Sequence, residues 1–108
     1  MENSAVKKIK NAVLGRKYDL SVAFVSIREM RRAMRYKKSR TTKTSNVLSF
    51  PLSKTSGEIL ICKAAAKPYS VEFLLIHGLL HLKGLKHGAI MEGEEDRLLK
   101  RFGFARNG

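Results

Sequence analysis

The chain has 108 residues, 44% of them hydrophobic, so one domain spanning 1–108 with one modest core is the expectation. A single cysteine, Cys62, excludes an internal disulfide and a thiolate metal cluster, and no apolar run approaches a membrane span in length. Lys and Arg number 22 against 9 acids, a net charge of +13 that favours a polyanionic partner.

In chain order, residues 5–14 place Val6, Ile9, Val13 and Leu14 at helical spacing, and Gly15 follows as a stop. Tyr18–Ile27 alternates as a strand, with Leu20, Val22, Phe24 and Ile27 expected inward. Ser26 and Glu29 form a capping-box pattern that starts a helix from Ile27 to Tyr36, burying Met30, Ala33 and Met34. Lys37–Ser45 is polar and basic and reads as a loop.

Val47–Phe50 is a short strand ending at Pro51, Glu58–Cys62 is another, and Ser53–Gly57 between them has hairpin-turn composition. Cys62 reads as a small buried residue. Ser70 is a candidate N-cap for an apolar helix over Val71–Leu82, which Gly84 should end. A last helix over Glu92–Phe102 opens on Glu92, Glu94, Glu95 and Asp96 and closes on Lys100 and Arg101, an order suited to the helix dipole. The order α-β-α-β-β-α-α predicts an α+β domain with a small mixed sheet. The start lacks the apolar core of a signal peptide, which suggests a cytoplasmic protein.

The charge is unevenly spread. Residues 1–56 carry 14 basic and 3 acidic side chains, whereas residues 57–108 carry 8 and 6. Arg28 to Lys43 alone holds eight basic residues and one acid. Such a field attracts a nucleic-acid backbone, with an affinity that falls steeply with salt. A membrane surface fits less well, because this stretch lacks bulky apolar anchors along one face.

All three histidines fall within His77–His87 (HGLLHLKGLKH). His77 and His81 are four apart and share one helix face. Gly84 sits where the chain must leave the helix, and that reversal can return His87 toward the first two. Three imidazoles at roughly 2 Å leave a fourth tetrahedral position open, the pattern of a catalytic rather than a structural zinc site; nickel or cobalt also suit three imidazoles. The same spacing occurs in metzincin proteases, which carry a glutamate directly after the first histidine as general base. Here that position is Gly78, so a peptidase on this helix would lack its proton acceptor.

His77–His87 resembles the signature of the YbeY family, bacterial metal-dependent endoribonucleases of ribosomal RNA maturation. Thr44-Ser45-Asn46-Val47-Leu48-Ser49-Phe50-Pro51 is similar to that family's strand motif, and Gly57-Glu58-Ile59 to the strand that follows. The resemblance covers roughly residues 18–104. It implies an α+β fold with the histidine helix against a small mixed sheet, a zinc ion at His77, His81 and His87, and cleavage of single-stranded RNA. It also implies a functional arginine ahead of the strand motif: matching Ile27–Met30 to the family's helix suggests Arg35, while counting back from Asn46 suggests Arg40. The sequence departs from the pattern at Lys86, where the family usually has aspartate, and in the short segment Lys63–Ser70.

The expectation is therefore a zinc-dependent, single-strand-specific endoribonuclease acting on ribosomal RNA precursors or the ribosomal small subunit, in rRNA maturation and ribosome quality control. Arg35 or Arg40 would stabilise the reacting phosphate, and Arg28, Arg31, Arg32, Lys37, Lys38 and Lys43 would guide the backbone. Asn46 and Ser49 either present polar groups at the cleft edge or satisfy local backbone groups. Two other readings stand beside it: a metal-dependent hydrolase of another substrate, and an RNA-binding ribosome-assembly factor whose metal is largely structural.

Overall fold

The computed structural model describes residues 3–37 and 44–108. Among these, the elements follow the order α1 (Asn3–Leu14), β1 (Asp19–Phe24), α2 (Ile27–Tyr36), β2 (Val47–Ser53), β3 (Ser56–Ile61), α3 (Val71–Lys83) and α4 (Ala89–Phe102), with a short 3₁₀ turn at Lys63–Ala65. The expected α+β class is observed: a three-stranded sheet in the order β1-β3-β2, with β1 parallel and β2 antiparallel to the central strand. Lys38, Arg40 and Lys43 lie outside the described residues.

β3 is central because it is apolar on both faces. Ile59 and Ile61 point to one side and are fully buried, while Leu60 points to the other. On the first side, Ile59 and Ile61 share one buried cluster with Ile9 and Val13 of α1, the apolar body of α3, and Met91, Leu98 and Leu99 of α4. On the opposite side, Met30 and Met34 of α2 pack with Cys62, Leu48 and Leu60. The sheet is thus covered by helices on both faces, which is why its middle strand reads as a continuous apolar run.

Local signals set most element ends. The capping box at α2 is formed: Ser26 Oγ accepts from the Glu29 amide at 3.1 Å, and Glu29 Oε1 accepts from the Ser26 amide at 3.0 Å. This pairing also holds the Glu29 carboxyl below its usual range. The fully buried Cys62 follows β3. Pro51 does not end β2, which continues to Ser53 through an irregular register beyond Pro51. A proline is tolerated there because β2 is an edge strand.

Three inward assignments are corrected. Phe24 is 46% exposed and Ile27 43% exposed, and Ala33 is only half-buried. β1 is an edge strand that ends at Phe24, beyond the helical cover, and the Phe24 ring instead carries Lys63 Nζ at 4.3 Å from its centroid. Val25, one residue on, packs with the α2 cluster. The last helix starts at Ala89, earlier than the acidic run suggested.

Ser70 does double duty. Its Oγ accepts from the Phe73 amide at 3.0 Å, capping α3, and donates to the Ala105 carbonyl at 2.6 Å. Its amide donates to the Arg106 carbonyl at 2.8 Å, and Tyr69 bridges to Asn107. The start of the histidine helix and segment 103–108 are therefore fastened together. Ser70→Ala should destabilise the fold by about 1–2 kcal/mol, the usual cost of a lost N-cap, read as a lower urea midpoint at unchanged slope.

Candidate metal centre

α3 runs across β2 and β3 so closely that position 78 has no room for a side chain. A Cβ on Gly78 would meet two Ile59 carbons and Ser49 Oγ, each at 3.1 Å. Ser49 Oγ donates to the Gly78 carbonyl at 2.9 Å and locks this approach. The glycine that removes a protease-type base is thus also a packing requirement: a glutamate there would drive into the sheet, not toward the histidines.

With Gly78 facing the sheet, His77 and His81 face outward from α3 on its uncovered side. Gly84 ends the helix in the left-handed region at φ 105°, and the Leu85 amide then bonds back to the Leu80 carbonyl at 3.0 Å. This reversal brings His87 to 5.1 Å from His77 and 4.6 Å from His81, ring centre to ring centre. One ring nitrogen from each histidine falls within 4.8 Å of the other two. The predicted triad is assembled, and its three imidazoles can hold a metal ion.

Two acceptors orient the first pair of rings. His77 Nδ1 donates to Glu95 Oε2 of α4 at 2.6 Å. His81 Nδ1 donates to the Leu85 carbonyl at 3.0 Å, so the glycine turn that returns His87 also supplies the group that aims His81. In the neutral tautomer with Nδ1 protonated, each ring leaves Nε2 free to ligate, and the two Nε2 atoms lie 3.1 Å apart. Two nitrogens on one tetrahedral zinc at about 2.0–2.1 Å lie roughly 3.3 Å apart, so the observed separation fits shared ligation of one cation. Burial holds the His81 imidazole below its ordinary value, with His77, His87 and Lys37 adding to the effect against the Leu85 hydrogen bond. The neutral, ligating form is favoured.

Glu95 is the residue that sequence reasoning misplaced. Its acidic neighbours suggested a dipole-compensating first turn, yet Glu95 is only 3% exposed, in the middle of α4. The available signal was its spacing: it lies four residues after Met91 and three before Leu98, on the apolar stripe rather than the solvated face. Beyond it stands Arg106, with Nη1 3.8 Å from Glu95 Oε1 and Nη2 donating to Asp96 Oδ1 at 2.6 Å. The guanidinium lies 4.5 Å above the Phe73 ring, and the Asp96 hydrogen bond raises its pKa further above the usual range.

The histidines sit between two lobes of one groove. A lobe of about 270 Å³ is lined by Tyr69, Phe73, Glu92, Glu95 and Arg106; one of about 540 Å³ is lined by Lys37, Ser45, Leu48, Ser49 and Pro51. Asn46, His77 and His87 border both. Asn46 thus stands at the cleft edge, while the buried Ser49 lies in the wall with its hydroxyl committed to Gly78.

Lys37 is the described cation of the larger lobe: its Nζ donates to the Ser49 carbonyl and lies 4.8 Å from the Phe50 ring centre, and partial burial lowers its pKa. Arg28, Arg31, Arg32 and Arg35 are exposed along α2 and line neither lobe, and Arg31 Nε donates to Thr44 Oγ1 at 2.9 Å. Lys86 is exposed and also lines neither lobe.

Among the described residues no helix is long and apolar enough to cross a membrane. The family model of the endoribonuclease YbeY matches residues 2–103. An endoribonuclease YbeY of Rubrobacter xylanophilus is 36% identical over 80 residues, covering 71% of this chain and 58% of its own length. One from Legionella pneumophila strain Corby is 30% identical over 111 residues, covering 81% of this chain and 70% of its own. No solved structure matches the chain significantly. The chain thus spans little more than half of the Rubrobacter relative; the histidine signature, the strand motif and the match over nearly all of its own residues agree, and the chain belongs to the YbeY family.

Proposed function

We propose that the chain is a zinc-dependent endoribonuclease that cuts single-stranded RNA, working on ribosomal RNA precursors or the small subunit in the cytoplasm. The observation that carries this reading is the convergence of His77, His81 and His87, with the first two Nε2 atoms 3.1 Å apart, in a groove whose wall holds Lys37. His77, His81 and His87 hold the ion, which when bound supplies Lewis acidity toward water and a phosphoryl oxygen.

The chain's own residues supply the rest. Glu95 and the Leu85 carbonyl hold the imidazoles in the ligating tautomer, so no reorientation is needed when the substrate arrives. Lys37, in the wall of the larger lobe, offsets charge that develops on the scissile phosphate, the role the sequence had left between Arg35 and Arg40. Arg28, Arg31, Arg32 and Arg35 present an exposed cationic row that guides the RNA backbone toward the groove. Asn46, at the border of both lobes, is placed to donate to a base or a sugar. Names of relatives and the match to the family model support RNA as the substrate over another ester.

Three measurements check this. Zinc at a hundredfold excess over its Kd should stabilise the wild type by about 2.7 kcal/mol. A chelator should reverse that gain, and His81→Ala should not show it. In single-turnover cleavage of an unstructured RNA, Lys37→Ala should lower the rate about a hundredfold and Lys37→Arg should restore much of it. Replacing Arg28 and Arg32 together should weaken RNA binding and flatten its salt dependence by about one unit of log–log slope per lost phosphate contact. Zinc uptake with persistent RNA binding but no metal-dependent cleavage would favour an assembly factor with a structural metal.

A further inference from the structure

Segment 103–108 does more than close the fold. Three hydrogen bonds, two of them between backbone groups, fasten it to the start of α3: the Ser70 amide to the Arg106 carbonyl at 2.8 Å, Ser70 Oγ to the Ala105 carbonyl at 2.6 Å, and the Gly108 amide to the Pro68 carbonyl at 3.0 Å. They deliver the Arg106 guanidinium onto the face of Phe73, which itself packs against His77 with ring centres 5.8 Å apart. From that shelf the planar fork reaches Asp96 with one nitrogen and the Oε1 side of Glu95 with another. Glu95 uses its other oxygen on His77 Nδ1.

A carboxylate held from only one oxygen can still swing about its terminal torsion, and such a swing would turn the bonded imidazole. A second charge on the other oxygen, the Arg106 guanidinium 3.8 Å from Oε1, restricts that freedom. A guanidinium that is itself seated on an aromatic ring and tied to Asp96 is a stiff second anchor, which an ammonium on a flexible stem is not. We infer that Arg106 is a positioning residue of the metal centre: through Glu95 it fixes the direction of His77 Nε2, so the segment beyond the family match sets the affinity of the site for its ion. The inference rests on the reading of His77, His81 and His87 as metal ligands and extends it to a residue fourteen positions beyond Glu92, the acid of α4's first turn.

The test measures zinc affinity on the full chain by competition with a chelating indicator, without RNA. Arg106→Met keeps an apolar stem over Phe73 and removes the fork; it should weaken zinc binding about tenfold, the lower end for loss of a group that orients a ligand. Arg106→Lys should fall between Arg106→Met and the wild type, since one ammonium cannot serve Asp96 and Glu95 together. In a Glu95→Gln background the Arg106→Met change should cost little more, because its route to His77 is already weakened. Long-range proton–nitrogen spectra of the metal-free protein should show His77 protonated at Nδ1 in the wild type and mixed between both nitrogens in Arg106→Met.

Unchanged zinc affinity in folded Arg106→Met, or an equal loss in the Glu95→Gln background, would overturn the inference. If Arg106→Met does not fold, wild-type affinity in Arg106→Lys overturns it and an intermediate loss sustains it. A wild-type chain that takes up no zinc would overturn the metal reading along with it. Failure of RNA cleavage alone would leave these affinities as they stand and would count only against the nuclease.

Discussion

The hydrogen bond between Glu95 and His77 joins the fold to the site. Glu95 is buried among Met91, Leu98 and Leu99 on the face of α4 that packs against α3. A buried carboxylate with no partner costs on the order of several kcal/mol, so α4 cannot dock here unless something answers that charge. The answer is His77 Nδ1 at 2.6 Å on one oxygen, with the Arg106 guanidinium 3.8 Å from the other. Docking α4 and aiming an imidazole are therefore one event: the same contact satisfies the buried acid and leaves His77 Nε2 facing His81.

The second histidine is set by backbone alone. Gly84 permits the left-handed turn, the turn places the Leu85 carbonyl on His81 Nδ1, and the chain continues to His87. One side chain and one carbonyl thus orient the pair, and each comes from a different part of the tertiary structure. Close packing at Gly78 completes the geometry from below, since it lets α3 sit flat on the sheet and present both rings to the groove. The result is a cluster of three imidazoles whose nitrogens can hold a cation, with Lys37 in the wall beside them. The three imidazoles and the Lys37 ammonium border the same lobe of the groove.

Much of this was legible in the sequence where the cause was local. The histidine spacing, the Gly84 stop, the Ser26–Glu29 capping box and the apolar body of α3 depend on neighbours within a few residues, and the structure shows them as read. What was not legible depends on contacts between distant segments. Glu95 lies 18 residues from His77 and was masked by three other acids that do face solvent or a surface partner. Phe24 obeyed strand alternation, but alternation cannot say where helical cover ends along an edge strand. Lys37 belonged to a basic run in which charge alone could not separate the residue in the groove wall from those on the outer face of α2. Arg106 carried no pattern at all; its place follows from the fastening of segment 103–108 to Ser70.

The central claim is that His77, His81 and His87 converge on one divalent ion, with the first two ligating through Nε2 because Glu95 and Leu85 occupy their Nδ1 atoms. A crystal structure of the zinc-loaded protein, with anomalous differences collected across the zinc absorption edge, tests it directly. The account predicts one anomalous peak at about 2.0–2.1 Å from His77 Nε2, His81 Nε2 and one nitrogen of His87, with Glu95 still on His77 Nδ1. A peak bound elsewhere, or a loaded site in which Glu95 has left His77 to ligate the ion itself, would contradict it.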